Sequence, residues 1–226
     1  MAPRKNKRIA KAMPAGIRPK GNVRIVARAK LPTRFGAFTI LGAEGNGPRE
    51  TAVILIRGNP GQQGRKRRGK GVVPLVRVHS QCLTGDVFTS QRCDCRAQLE
   101  LALQKIGVAA SGVLLYLPQE GRGIGLMNKL RAYELQDHGM DTVEANEQLG
   151  FAADSRDYSF SAAVLRKLGI RRVRLLSNNP DKVKQLAKAG IEVVERVPCQ
   201  PRSSPATRSY LATKKSKLGH LLNGLE

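Results

Sequence analysis

The sequence predicts an α/β fold, a three-layer α/β/α arrangement around a mixed sheet with antiparallel N-terminal strands. Three observations carry that prediction. The N-terminal part offers three short β-branched runs in succession with turn residues between them. From residue 74 onward, apolar strand-like runs alternate with segments whose apolar residues recur at helical spacing. Hydrophobic residues make up 41%, enough for a packed core, yet no run approaches the roughly 18–20 apolar residues a bilayer span requires. No membrane partner is expected.

Residues 1–22 are basic, polar and broken by Pro and Gly, and read as a disordered arm ahead of one folded domain over 23–226. The arm has no apolar h-region of a secretory signal, and its start lacks the serines of a transit peptide. VRIVARAKL (23–31), AFTILGAE (37–44) and TAVILIRG (51–58) read as consecutive antiparallel strands. The Gly-rich basic stretch 58–71 is too long for a hairpin turn, and is either functional or disordered. PLVRVHS (74–80) is the next strand. Leu99, Ala102, Leu103 and Ile106 then mark a helix face, and GVLLYLPQ (112–119) a buried strand. Residues 124–138 read as a helix with Leu126, Leu130 and Tyr133 on one apolar face, followed by a polar segment over 146–160. FSAAVLRKLG (160–169) is a helix closed by glycine, and RVRLLSNN (172–179) a strand. PDKVKQLAKAG (180–190) opens on Pro and stops at Gly, as helices do. IEVVERV is the last strand and RSYLATKKSKLGHLL a C-terminal helix.

The formal net charge is +23, and it is uneven. Residues 1–35 hold eleven Lys or Arg and no acid, and RKRRGK fills 65–70. Such a surface calls for a polyanionic partner, either nucleic acid or a multiply phosphorylated ligand. Four cysteines do not make a disulfide framework in a chain of this size, so the cytoplasm is the expected compartment.

Three of those cysteines fall in CLTGDVFTSQRCDC: Cys82, Cys93 and Cys95, spaced C-x10-C-x-C among polar residues. Clustered thiolates select a borderline-soft cation such as zinc. With no second CxxC knuckle, three readings stay open: an open three-ligand site with its fourth corner left to solvent, a structural site completed by His79 or Cys199, or no metal. Three thiolates around a divalent ion leave a charge near −1, which a nearby base or cation would offset.

Further polar groups follow the strands. QEGRGIG (119–125) sits between a strand and a helix, where glycines and a helix N-terminus suit an anion, although a plain turn fits as well. Asp154 and Arg156 stand two apart, as a surface ion pair or cap also would. SNNPDK (177–182) suits a phosphate or a base edge, or simply caps a helix. Arg77 and His79 share one face of the strand leading to Cys82.

Taken together, RVHSQCLTGDVFTSQRCDC, QEGRGIGLMNKLRAYELQ, DTVEANEQLGFAADSRDYSFSAAVLRKLG, RLLSNNPDKV and GIEVVERVP resemble GTP cyclohydrolase II, over about residues 28–224. The resemblance implies a homodimeric enzyme whose catalytic domain opens GTP at C8, releasing formate and pyrophosphate and leaving a diamino-phosphoribosylamino-pyrimidinone, at the start of riboflavin biosynthesis. It makes Cys82, Cys93 and Cys95 the ligands of a catalytic Zn2+ and brings Mg2+ with the triphosphate. It makes Tyr133 a residue near the ring, Asp154 a general base, and Arg156 a nucleophile or an electrostatic stabiliser toward the α-phosphorus. GTP contacts fall on Arg77, Val78, His79, Ser80 and Gln81, on Gln98, on Glu120, Gly121 and Arg122, and on Thr142, Ser177 and Lys182. A carboxylate at Glu120 suits the N1–H and 2-amino edge of guanine and excludes ATP. Gln81 stands where the family often has Glu, and Ser177 where it often has Thr.

A basic RNA-binding protein on the same scaffold is the alternative from another class. Aromatic content of 4% with no Trp is thin for base stacking. A third reading, a relative that stops at the formamide product, is opposed by Tyr133 and Asp154. The basic arm stays a candidate for nucleic-acid contact.

Overall fold

The computed structural model describes residues 22–61, 72–201 and 207–224. The expected arm, but for its last residue, and the basic cluster at 65–70 lie outside the described residues. Side-chain alternation builds the N-terminal part of the sheet. In β2 (Gly36–Glu44) Leu41 and Ala43 turn to one face and Phe38 to the other; in β3 (Thr51–Arg57) Ala52 and Ile54 are buried and Val53 is open. β1 (Arg24–Thr33) pairs antiparallel with β2, and β2 with β3, as expected from the three β-branched runs.

β3 then pairs antiparallel with β5 (Gly112–Leu117), placing Ile54 beside Leu115. β5 runs parallel to β4 (Leu75–Ser80), β4 to β6 (Arg172–Leu176), and β6 to β7 (Glu192–Val197). The order is β1-β2-β3-β5-β4-β6-β7. The central strands β4 and β5 are buried on both faces, which is why β5 reads as a continuous apolar run, whereas β6 and β7 toward the edge keep exposed positions.

Helices cover both faces, giving the expected three layers. α2 (Cys95–Gly107) packs Ala102 and Ile106 against Leu75, Leu114 and Leu176 on one side. α5 (Ser159–Lys167) and α6 (Pro180–Lys188) pack Val164, Leu165 and Leu186 against Val76, Val78, Val113 and Leu175 on the other. Truncating one of these fully buried leucines to Ala is worth about 2–5 kcal/mol. Gly107 closes α2 where no other residue fits: a Cβ there would stand 1.9 Å from the Phe35 carbonyl oxygen in the β1–β2 turn.

Two features depart from expectation. In α3 (Leu126–Asp137) the buried residues are Lys129 and Ala132, while Leu130 is 43% exposed, so the inward face is not the one Leu126 and Leu130 mark. The polar segment at 146–160 begins inside a helix, α4 (Thr142–Gln148), which Asp141 and Glu144 open with a reciprocal capping box. The C-terminal helix is α7 (Arg208–Leu218), stopped by Gly219 at φ 62°. No helix among the described residues is long and apolar enough to cross a membrane.

Topology places the cleft. From β4 the chain crosses by α2 to β5 on one side; from β5 it returns by α5, on the opposite face, to β6 on the other side of β4. Adjacent connections leave in opposite directions, so the carboxyl end of β4 is a crevice, the usual ligand position in an open α/β sheet.

Candidate active site

Chain segments leaving the carboxyl ends of β4, β5 and β6 furnish the cleft. β4 delivers Arg77, His79 and Ser80, then Gln81 and Cys82; β5 leads to Gln119 and a 3-10 turn over Glu120–Gly123; β6 leads to Ser177, Asn178 and Asn179. Arg77 and His79 share the α2 face, as alternation predicts, whereas the Val78 side chain lies in the opposite core. Val78 offers only its carbonyl, which accepts from Lys182 Nζ at 2.7 Å. Of the other residues expected in the site, all line the cleft except Asp154, which sits behind Arg156.

A tight loop brings the three cysteine sulfurs together. α1 (Leu83–Asp86) turns the chain straight after Cys82, and Cys93 and Cys95 return at the start of α2. The three sulfurs lie within 4.8 Å of one another, with Cys82 Sγ and Cys93 Sγ 3.6 Å apart. Sulfurs at zinc–thiolate distance on a tetrahedron stand about 3.8 Å apart, so the donor set fits a tetrahedral cation. Gly85 makes the room: a Cβ there would meet Cys93 Sγ at 2.9 Å and Cys82 Sγ at 3.1 Å. Neither His79 nor Cys199 joins the group. Cys199 is buried against α2, and its amide donates to Asn178 Oδ1 at 2.9 Å.

The chemistry of the triad also suits a cation. Hydrogen bonding from Cys93 and Cys95 drives Cys82 far down toward thiolate. The bond to Cys82 pushes Cys93 up to about 11 and lifts Cys95 well above an ordinary thiol. By themselves the three sulfurs therefore favour one negative charge among them; a divalent ion lets all three ionise, releasing protons as it binds. Gly85→Ala should lower zinc content at a fixed metal concentration, measured by elemental analysis of the folded protein, since the new methyl displaces two of the donors.

Asp86 organises this loop, a role the sequence did not reveal. Its carboxylate accepts from the Cys82 amide at 3.0 Å and Tyr116 Oη at 2.9 Å, and its two oxygens lie 3.2 Å from His79 Nε2. Nε2 facing a carboxylate carries the proton, leaving Nδ1 the acceptor. His79 stacks on Tyr116 with ring centroids 5.5 Å apart, and burial lowers its pKa.

The remaining walls are cationic. Arg77 donates to the Leu176 carbonyl at 3.0 Å and to Gln98 Oε1 at 2.6 Å; Gln98 bonds Asp94 Oδ2, and Asp94 Oδ1 accepts from Lys214 Nζ of α7 at 2.9 Å. A buried chain thus runs from the C-terminal helix to β4. Arg122 takes a left-handed φ of 59°, unusual for a side-chain-bearing residue, and reaches Thr142 Oγ1 at 3.1 Å and the Ala153 carbonyl at 3.3 Å. Arg156 and Asp154 form a bidentate pair, Nε to Oδ1 at 2.8 Å plus a shorter Nη2–Oδ2 contact. Burial opposes the Asp154 charge, yet Arg156 outweighs it and holds the carboxyl below the usual range. Lys182 is fully enclosed, and burial pulls its pKa well below that of an ordinary lysine.

Tyr133 is half-buried at the edge of the triad, its Oη 3.1 Å from Thr84 Oγ1 and the Arg92 guanidinium 4.8 Å above its ring. Burial raises its pKa, so the phenol stays protonated. Lys129 lies between the triad and Glu120, and α7 contributes Tyr210, Lys214 and Leu218 to the wall. The sequence reading named neither lysine. The charge of a bare trithiolate site asked only for a base or a cation nearby, without saying which.

Comparison with known proteins accords with this geometry. A family model described as GTP cyclohydrolase II matches residues 23–198. A GTP cyclohydrolase-2 of Hahella chejuensis is 55% identical over 201 residues, 89% of this chain and 93% of the relative. One from Pseudomonas syringae pv. tomato is 53% identical over 197 residues, covering 87% of this chain and 92% of its own length. A riboflavin biosynthesis protein of Vibrio vulnificus is 53% identical over 205 residues, 91% of this chain and 54% of the longer relative.

Proposed function

This chain belongs to the GTP cyclohydrolase II family, an enzyme hydrolysing GTP at the first step of riboflavin biosynthesis, and on that premise we propose how its residues divide the work. The observation that carries the reading is the placement of the cysteine triad in the same cleft as Glu120 and a wall of buried cations. Cys82, Cys93 and Cys95 hold zinc, which when bound supplies Lewis acidity and an activated solvent nucleophile.

Glu120 accepts from the N1–H and 2-amino edge of guanine. ATP presents an unprotonated N1 and no 2-amino group there, so the carboxylate would face a lone pair in place of two donors. Arg77, Arg122 and Lys182 face the triphosphate, which arrives with its own Mg2+, as nucleotides usually do. His79, Ser80, Gln81, Gln98, Gly121, Thr142 and Ser177 complete the contacts, Val78 through its backbone alone. The Tyr133 phenol, protonated and fixed by Thr84, donates to the opening ring. Burial opposes the Arg156 charge, but the ion pair with Asp154 keeps the guanidinium protonated. A guanidinium that keeps its protons is a poor nucleophile, so Arg156 stabilises charge on the phosphoryl group. When it turns to substrate, Asp154 loses its partner and becomes basic enough to take a proton.

The enzyme works as a cytoplasmic homodimer in this proposal, and the basic arm serves GTP capture or nucleic-acid contact separately from turnover. Incubating the full chain with GTP, zinc and magnesium tests the reading: formate and pyrophosphate both accumulate. Neither product would favour the RNA-binding alternative, and pyrophosphate without formate a truncated reaction. Arg156→Lys is expected to keep measurable pyrophosphate release, since the charge remains. Trapping a phospho-arginine adduct would overturn the electrostatic role.

A further inference from the structure

A buried lysine touches both anionic elements of the cleft. Lys129, on α3, is 8% exposed, and its Nζ lies 3.1 Å from Cys82 Sγ and 2.7 Å from Glu120 Oε1. Its carboxylate partner is itself pinned: Glu120 Oε2 accepts from the Leu83 amide at 2.6 Å, and Oε1 from the Gly121 amide at 3.1 Å. Leu83 follows Cys82 directly, so the same carboxylate grips the triad loop and the turn after β5. A buried ammonium is costly unless paired, and an apolar side chain of similar length would pack at this position without that cost.

We propose that Lys129 is a positioning residue for this reaction, an ammonium strut that withdraws charge from the Cys82 sulfur and fixes the Glu120 carboxylate for the incoming base. The inference rests on the proposed reading of the triad as a metal site and of Glu120 as the base-recognising group. A sulfur that accepts a charged N–H bond is a weaker donor, so a cation held there keeps more of its Lewis acidity; groups just outside a ligand shell tune metals in this way. The ammonium has three N–H and bonds both partners at once, but the two charges compete in their effect on the sulfur. Removing the carboxylate charge therefore leaves the ammonium's pull on the sulfur electrons less offset, and removing the ammonium abolishes it.

That competition fixes opposite signs for two variants. Full-length protein loaded with Co2+ alone should show a sulfur-to-cobalt charge-transfer band. Lys129→Met moves the band to lower energy, because the sulfur electrons are less tightly held. Lys129→Gln, a neutral donor, falls between Lys129→Met and the parent. Glu120→Gln moves the band to higher energy, and since it keeps the lysine it supplies the sign test even if Lys129→Met fails to fold. With zinc, Lys129→Met lowers kcat for GTP by about 10–100-fold, the cost typical of losing such a supporting group, while zinc content is retained. An unmoved band in cobalt-replete Lys129→Met, or shifts of the same sign in Lys129→Met and Glu120→Gln, overturns the strut. Absence of any thiolate band in the parent protein would instead bring down the metal reading on which it stands.

Discussion

Cys93→Ser should fail to retain added zinc and, on the proposed role of the triad, lose formate production. The triad offers three donors with Cys93 Sγ 3.6 Å from Cys82 Sγ, and a hydroxyl in place of one thiolate neither ionises readily nor matches a borderline-soft cation. Losing a mere supporting partner of a metal ligand costs about 10–100-fold, so loss of the ligand itself should exceed 100-fold in kcat/KM. The fold should survive, because the sulfurs lie at the cleft rather than in the two cores between sheet and helices. Elemental analysis and far-ultraviolet circular dichroism check the two halves of this expectation. A Cys93→Ser protein with full zinc and full turnover would remove the triad from the mechanism.

Lys214→Met is expected to act on stability as strongly as Cys93→Ser acts on chemistry. The Lys214–Asp94 pair is almost wholly enclosed, with side-chain exposures of 10% and 5%. Burial opposes the Lys214 charge, but Tyr210 and Asp94 outweigh it and hold the ammonium above its usual range. Removing one partner leaves Asp94 as an uncompensated buried anion, which costs about 3–5 kcal/mol. The loss should spread along the chain to Gln98 and Arg77, because each bonds the next. Denaturant unfolding measures the first effect, and a raised KM for GTP the second. Adding Asp94→Asn to Lys214→Met should recover much of the stability and little of the KM, since the stranded charge is gone and the link from α7 is still broken.

How far the molecule was legible from its sequence depended on whether the signal was local. Short β-branched runs with turn residues between them announced β1, β2 and β3, and Pro180 and Gly190 bracketed α6, because such patterns act within a few residues of where they are read. The cysteine spacing exposed the triad for the same reason. α4 was missed although Asp141 and Glu144 spell a capping box; the helix is short and polar, so no apolar periodicity drew attention to it. The face of α3 was misread because periodicity weighs apolar residues. Here the inward position belongs to Lys129, buried for its charge, while Leu130 is left in solvent.

By itself the sequence determined the alternation of strands and helices and the close spacing of the three cysteines, since each is a matter of residue type and spacing along one short segment; the room that Gly85 leaves for their sulfurs was visible only in the structure. Only the tertiary structure decided which partner each buried charge meets: Lys129 with Cys82 and Glu120, Lys214 with Asp94, Asp86 with the neutral His79 and Tyr116. Those partners are separated by up to 120 positions. Buried charges are stable only in company, and that company is assembled by the packing of helices on the sheet rather than by neighbours in the chain.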